Sequence, residues 1–256
     1  MDPRIIEIES LDDWLLTPPG QYLLEWEQTQ LDRVVTDMFG FHALQLGMPA
    51  LEGLRANRMP HRWVGSHQVV SGRTDLVLDP TALPFPEQSL DLVVLPHTLE
   101  LSQDPHATLR EVHRVLVPEG KVVVCGFNPA SLWGFRQRRA HWWQRLGLNS
   151  WFLPQAGEFI GYWRLRDWMR LLDLEIQGGR FGCYRPAVQS SRWLERYAWM
   201  DAAGDRWWPI FGSVYLLVAT KRVPGMRLIQ PGWRTARSPR VATVTSVGSG
   251  RVASDE

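Results

Sequence analysis

The chain has 256 residues, 28 Lys and Arg against 27 Asp and Glu, and 45% hydrophobic content. Such values suit one large globular domain, or a domain with an insert, and exclude a disordered, collagen-like or disulfide-scaffold chain. A formal net charge of +1 gives no global pull toward nucleic acid or anionic lipid, so any such partner must be met by a local cluster.

Two cysteines, Cys125 and Cys183, are too few for a disulfide framework or a cysteine-based zinc site, which fits a reducing compartment. Residues 1–10 carry acids where a secretory signal needs a basic start, and no apolar run approaches the ~20 residues of a membrane span. The expectation is a cytoplasmic protein with no transmembrane segment. Two features stand out: fourteen tryptophans, and basic residues that are nearly all arginine, Lys121 and Lys221 being the only lysines.

Taken in chain order, Tyr22, Leu23, Trp26, Leu31, Val34, Val35 and Met38 recur by threes and fours, which predicts an amphipathic helix over 20–38, opened by Pro18-Pro19 and closed by Gly40. A strand over 41–46 follows and ends in the turn Gly47-Met48-Pro49. The next 25 residues carry no clear period, with Val69-Val70 the strongest strand centre. Leu76-Val77-Leu78 reads as a short strand ending in Asp79-Pro80, and Leu90 to Leu95 as a strand buried on both faces. Asp104-Pro105 supplies an N-cap and a first-turn proline for a helix with Leu109, Val112 and Leu116 on one face. Pro118-Glu119-Gly120 stops it, and Val122-Val123-Val124 opens another strand. The alternation predicts an α/β fold.

Beyond Asn128-Pro129 the composition changes. Ten of the fourteen tryptophans fall within 133–208. A helix over 165–172 and strands over 174–177 and 212–220 are expected there. The chain divides into a helical lead-in (1–40), a main domain (41–222) with a Trp-rich cap at about 130–170, and a disordered, mildly basic tail (223–256).

The run Asp79-Pro-Thr-Ala-Leu-Pro-Phe-Pro, then Leu90-Asp91-Leu-Val-Val, His97-Thr-Leu-Glu100, Asp104-Pro and Leu109-Arg-Glu-Val-His-Arg-Val-Leu-Val-Pro-Glu-Gly120 resembles class I S-adenosylmethionine (SAM)-dependent methyltransferases of the type 11 group. The resemblance implies a three-layer, Rossmann-like fold with a mostly parallel seven-stranded sheet and SAM across the carboxyl ends of its strands. It implies that Asp79, followed by Pro80, accepts from the adenine amino group, and that Leu95 and Pro96 line the adenosine and methionine end. Gln45, Gly47 and Met48 occupy the first cofactor motif. There Gln45 replaces the family's acid, and Pro49 and Leu51 stand where glycines let backbone approach the cofactor. No Asp or Glu lies between Glu52 and Asp75, so His67 and Gln68 offer only neutral bonds to the ribose, about half as strong as charge-assisted ones. The plainer alternative for Asp79 is a turn aspartate before proline.

Methyl transfer from a sulfonium needs mainly alignment, and a base only where the nucleophile carries a proton. His97 and Glu100, just after the fourth strand, are the candidate catalytic residues, against a packing role for His97 and a capping role for Glu100. Glu111 and Arg114 form a plausible surface pair. No metal-ligand spacing, nucleophile elbow or phosphate loop is present. Trp133 to Arg145 reads as core-closing aromatics, a substrate cap, or an interface element for a membrane surface or unpaired bases. The reading is a SAM-dependent methyltransferase for a small aromatic or amphipathic acceptor. Competing readings are a methyltransferase fold retained as a binding or regulatory module, and an RNA-directed enzyme, the nucleic-acid partner being disfavoured by neutral charge.

Overall fold

The computed structural model describes residues 11–67, 72–144, 152–153 and 159–222, with side chains left out at 140–144. All lie in the first of two compact units, Met1–Val223; the second, Pro224–Glu256, falls outside the described residues, and with it the expected tail. Val69-Val70 and Gln68 also fall outside them.

Seven strands form one sheet: β1 (His42–Leu46), β2 (His61–Ser66), β3 (Leu76–Val77), β4 (Leu90–Pro96), β5 (Leu116–Phe127), β6 (Leu174–Gly182) and β7 (Val214–Lys221), in the order β3-β2-β1-β4-β5-β7-β6. All neighbours pair parallel except β7, which runs antiparallel to both β5 and β6. This is the mostly parallel sheet the resemblance implies. The strand between 47 and 75 lies at His61–Ser66, earlier than the apolar Val69-Val70 pair suggested.

Helices cover both faces, as near-continuous apolar strands require. On one face α1 (Leu11–Leu15), α2 (Pro18–Val35) and α5 (Leu132–Gln144) pack with Leu92 and Val94 of β4 and Val123 and Cys125 of β5. On the other, α4 (Pro105–Val115) and α6 (Tyr162–Leu171) cover Val93, Leu95, Val122 and Val124. Asp104 caps α4 as expected, its Oδ1 accepting from Ala107 N at 2.9 Å. Losing such a cap costs about 1 kcal/mol. The short helix α3 (Thr98–Leu101) follows β4; α7 (Ser191–Arg196) and α8 (Trp199–Trp207), which no apolar period announced, lie between β6 and β7.

The pair Glu111 and Arg114 does more than decorate a surface. Arg114 binds Glu111 Oε2 at 2.8 Å and also donates to the Phe85 and Leu83 carbonyls, while Glu111 accepts from Leu83 N. The proline-rich loop after β3 is thereby clamped to α4.

Helix α2 opens at Thr17, whose Oγ1 accepts from Gly20 N at 3.4 Å, and Pro18 stands at its first turn. Its inward stripe includes Leu23, Glu27, Gln30, Leu31 and Val35. Trp26, beside that stripe, lies flat against Gly182 at the end of β6, where a Cβ would overlap the indole. The contact locks α2 across the sheet's far edge. Gly182→Ala is therefore expected to lower stability by about 1–3 kcal/mol through overpacking, read as a lower thermal midpoint. An unchanged midpoint would show that Trp26 does not seat α2.

Candidate active site

Parallel pairing aligns the carboxyl ends of β1 to β4 along one edge, and there lie Gly47 and Met48, His67, Asp79 and Pro80, and Leu95 to Glu100. The chain after β1 turns at Gly47 (φ 80) and Met48 (φ 45). Gly47 N donates to Gly65 O of β2 at 2.7 Å, and a Cβ on Gly47 would stand 3.3 Å from Thr98 Oγ1. A glycine is thus required here for two independent reasons, backbone conformation and close approach.

Gln45, expected beside the cofactor, is bonded throughout the loop that follows it. Fully buried, its Nε2 donates to the carbonyls of Gly47, Met48 and Leu51 at 3.2, 3.1 and 2.8 Å, and its Oε1 accepts from Gly53 N at 2.9 Å. One side chain therefore holds the loop's carbonyls inward. Because the peptide is planar and trans, the Met48 N–H then faces away from Gln45. Leu51 packs into the core rather than baring backbone.

Asp79 is exposed, one residue beyond Leu78 after β3, and its Oδ1 accepts from Thr81 N and Thr81 Oγ1 at 2.8 and 2.7 Å. The backbone bond first, then the hydroxyl, holds its carboxyl below the ordinary value. Pro80 is buried, as are Leu95 and Pro96 at the end of β4, Leu95 within the α4-side core. His67 stands just after β2 and contributes to the field at Asp79.

His97 sits in the left-handed region (φ 53) and is buried. Its Nδ1 meets Glu100 Oε2 at 2.8 Å and its Nε2 meets Glu27 Oε1 at 2.8 Å. Glu100 Oε1 in turn accepts from Phe127 N at 2.6 Å, fixing the cluster to the end of β5. Burial alone would lower the His97 pKa; Glu27 foremost, with Glu100, overrides it and leaves it pushed up to about 10. Burial raises the Glu100 carboxyl, with the His97 bond opposing. Burial, then Glu27 and Glu100, also push the Cys125 thiol well up, so it is no nucleophile. Glu27 was not singled out from sequence. Its signal is position: four residues from Leu23 and four from Leu31, it falls on the inward stripe of α2.

Over this cluster lies a packed set of rings. The Phe127 ring packs tilted against His97 at 4.2 Å; Trp14 meets Phe127, Trp133 and Phe152 edge-on at 6.1, 5.7 and 6.2 Å. Trp133 Nε1 donates to Arg185 O at 2.8 Å. Two polar atoms of this region are buried without a partner among the described residues: Glu27 Oε2, an acceptor, and Trp14 Nε1, a donor. Among the described residues no His, Cys, Asp and Glu set could hold a metal ion, and no helix is long and apolar enough to cross a membrane.

Comparison with known proteins agrees with this geometry. A family model described as a methyltransferase domain matches residues 63–124. The uncharacterised protein YafS of Escherichia coli K12 is 31% identical over 235 residues, covering 90% of this chain and 88% of that protein. A demethylmenaquinone methyltransferase of Geobacillus kaustophilus is 30% identical over 115 residues, 39% of this chain and 49% of that protein. Among solved structures, a SAM-dependent methyltransferase of Thermotoga maritima shares the fold with a TM-score of 0.57 at 14% identity, covering 82% of this chain and 94% of that one. The chain belongs to the class I SAM-dependent methyltransferases, whose cofactor is SAM.

The residues present fit that cofactor at the turn after β1, where Gly47 and Met48 give the tight left-handed corner and a free-facing N–H, and at Asp79 on the rim. The buried ions make stability depend on pH. His97 keeps a proton in the folded chain that an unfolded chain loses near pH 6.5, so its contribution to stability is full below that pH and is lost as pH rises toward about 10. The thermal midpoint should fall across that window, and Glu27→Gln, which removes the foremost cause, should flatten the slope. Equal slopes in both proteins would refute the assignment.

Proposed function

We propose that this protein transfers the methyl group of SAM to a small, amphipathic aromatic acceptor bearing a hydroxyl. The observation that carries the reading is the buried, unpartnered Glu27 Oε2 beside His97 at the carboxyl end of β4. When bound, SAM supplies an electrophilic methyl group on a sulfonium that departs as a neutral thioether.

Among this chain's groups, the Gly47 and Met48 backbone and Leu95 and Pro96 hold the cofactor, and Asp79 accepts from its adenine amino group. Gln45 is a positioning residue, since it keeps the loop in shape without facing the ligand. With SAM bound, Glu27 Oε2 would take the hydroxyl proton as the acceptor's oxygen bonds to the methyl carbon and the methyl–sulfur bond breaks. His97, protonated at neutral pH, is the donor that orients Glu27 rather than the base itself. Glu100 and the Phe127 N–H hold His97 in place.

Trp14 Nε1 offers a donor to a second polar atom of the acceptor, and Trp14, Phe127 and Trp133 supply ring faces and edges for an aromatic body. The similarity to demethylmenaquinone methyltransferases supports a lipophilic aromatic acceptor.

Calorimetry should give saturable SAM binding in the micromolar range, weakened several-fold by Asp79→Ala. No heat at millimolar SAM would overturn the enzyme reading in favour of a binding module. With radiolabelled SAM and a naphthoquinol probe, Glu27→Gln should bind SAM normally and lose about 10²-fold or more in turnover. Equal loss of SAM affinity would place Glu27 at the cofactor instead.

A further inference from the structure

Five successive residues from the last position of α8 toward β7, Trp207-Trp208-Pro209-Ile210-Phe211, are all exposed, Trp207 by 74% and Phe211 by 57%. An exposed apolar run of this kind in a folded domain marks a contact surface. The run is held rigidly. Phe211 N donates to Trp208 O at 3.1 Å and Tyr184 Oη to Pro209 O at 2.9 Å. From behind, Asn128 Nδ2 donates to Ile210 O at 2.7 Å and to Gly212 O at 2.8 Å.

The carbonyls of Trp208, Pro209, Ile210 and Gly212 are therefore satisfied without water. Pairing of these four carbonyls lowers the cost of bringing this backbone into hydrocarbon, where an unpaired polar group costs several kcal/mol. A protein partner would impose no such demand. Tryptophan also suits the boundary between headgroups and acyl chains. Arg206 on α8 and Arg138 and Arg139 on α5 are exposed and cationic, with Asn128 joining the turn to the start of α5. Leu132 and Phe135, on α5's first turn, are exposed as well.

We propose that the 207–211 turn inserts into the surface of an anionic lipid bilayer, with these arginines against the headgroups. The inserted turn belongs to the edge that carries the site: Val214, three residues on, pairs with Phe127, which packs against His97. Docking thus sets that edge toward the bilayer. The inference stands on the surface alone and does not depend on the methyl acceptor.

The test is co-sedimentation of the full chain, without cofactor or acceptor, with vesicles of phosphatidylcholine mixed with phosphatidylglycerol. Binding is expected, weaker on phosphatidylcholine alone and in high salt. Trp207→Ser with Phe211→Ser should cut partitioning roughly tenfold or more, while Trp207→Phe with Phe211→Leu should retain it. Leu171→Ser, a change at an 83% exposed leucine on α6, should leave it unchanged. Arg138→Gln with Arg139→Gln should weaken binding only to the anionic vesicles. Absence of vesicle binding, binding indifferent to the serine pair, or self-association abolished by that pair without vesicle binding would overturn the proposal.

Discussion

The fold is arranged around one expensive contact, an imidazole held between two carboxylates in a dry interior. Placing such charges away from water costs several kcal/mol per ion unless each finds close partners. Glu27, His97 and Glu100 meet that demand with two 2.8 Å contacts and the Phe127 N–H. Because the partners come from α2, the corner after β4, α3 and the end of β5, satisfying the charges fixes four elements at once. The left-handed backbone at His97 is the local cost of aiming the ring between them, on the order of 1–3 kcal/mol. Loss of His97 would leave two buried carboxylates facing each other without a cation, so the imidazole is the member on which the cluster depends.

Much of the fold was legible because its strands are long apolar runs and its helices carry clean stripes. β4, α4 and the end of β5 appear where the periodicity puts them. β2 did not announce itself, because His61-Arg62-Trp63 lacks the apolar signature of a buried strand. Its face is covered by stacked rings, His61 at 5.2 Å from His42 and Trp63 at 5.8 Å from His42, which no hydropathy pattern registers. α7 and α8 were hidden for the opposite reason: their aromatic residues mostly face outward, so the inward period is faint. At the site, His97 and Glu100 were visible from their place after β4. Glu27 was not, since a lone acid in a helix reads as solvent-facing until the stripe of Leu23 and Leu31 is continued through it.

The loop after β1 explains how a methyltransferase fold keeps its first turn with one glycine. In a glycine-rich loop, conformational freedom allows the backbone to bend close to a ligand. Here a buried amide imposes the bend instead, with three donations and one acceptance from Gln45 fixing residues 47 to 53. A carboxylate at that position would repel the same three carbonyls, since it has no N–H to offer. The amide of Gln45 thus suits a loop that carries Pro49 and a core-packed Leu51. Gln45 takes over the shaping role, which frees Leu51 to pack in the core.

Hydrogen-bond accounting also separates the two aromatic regions. In the 207–211 turn the side chains are apolar and exposed, yet the carbonyls of Trp208, Pro209 and Ile210 are paired within the protein rather than left to water. Around Trp14 the side chains are apolar and buried, yet a donor and an acceptor have no partner among the described residues. Each mismatch points to the surroundings that would remove it: a water-poor medium for the turn, a small polar-ended molecule for the cluster. Phe127 and Asn128, adjacent in the chain, connect the two, one packed against His97 and the other bound to the turn. The proposed lipid contact and the proposed reaction centre therefore lie on one edge of the sheet, joined through two consecutive residues.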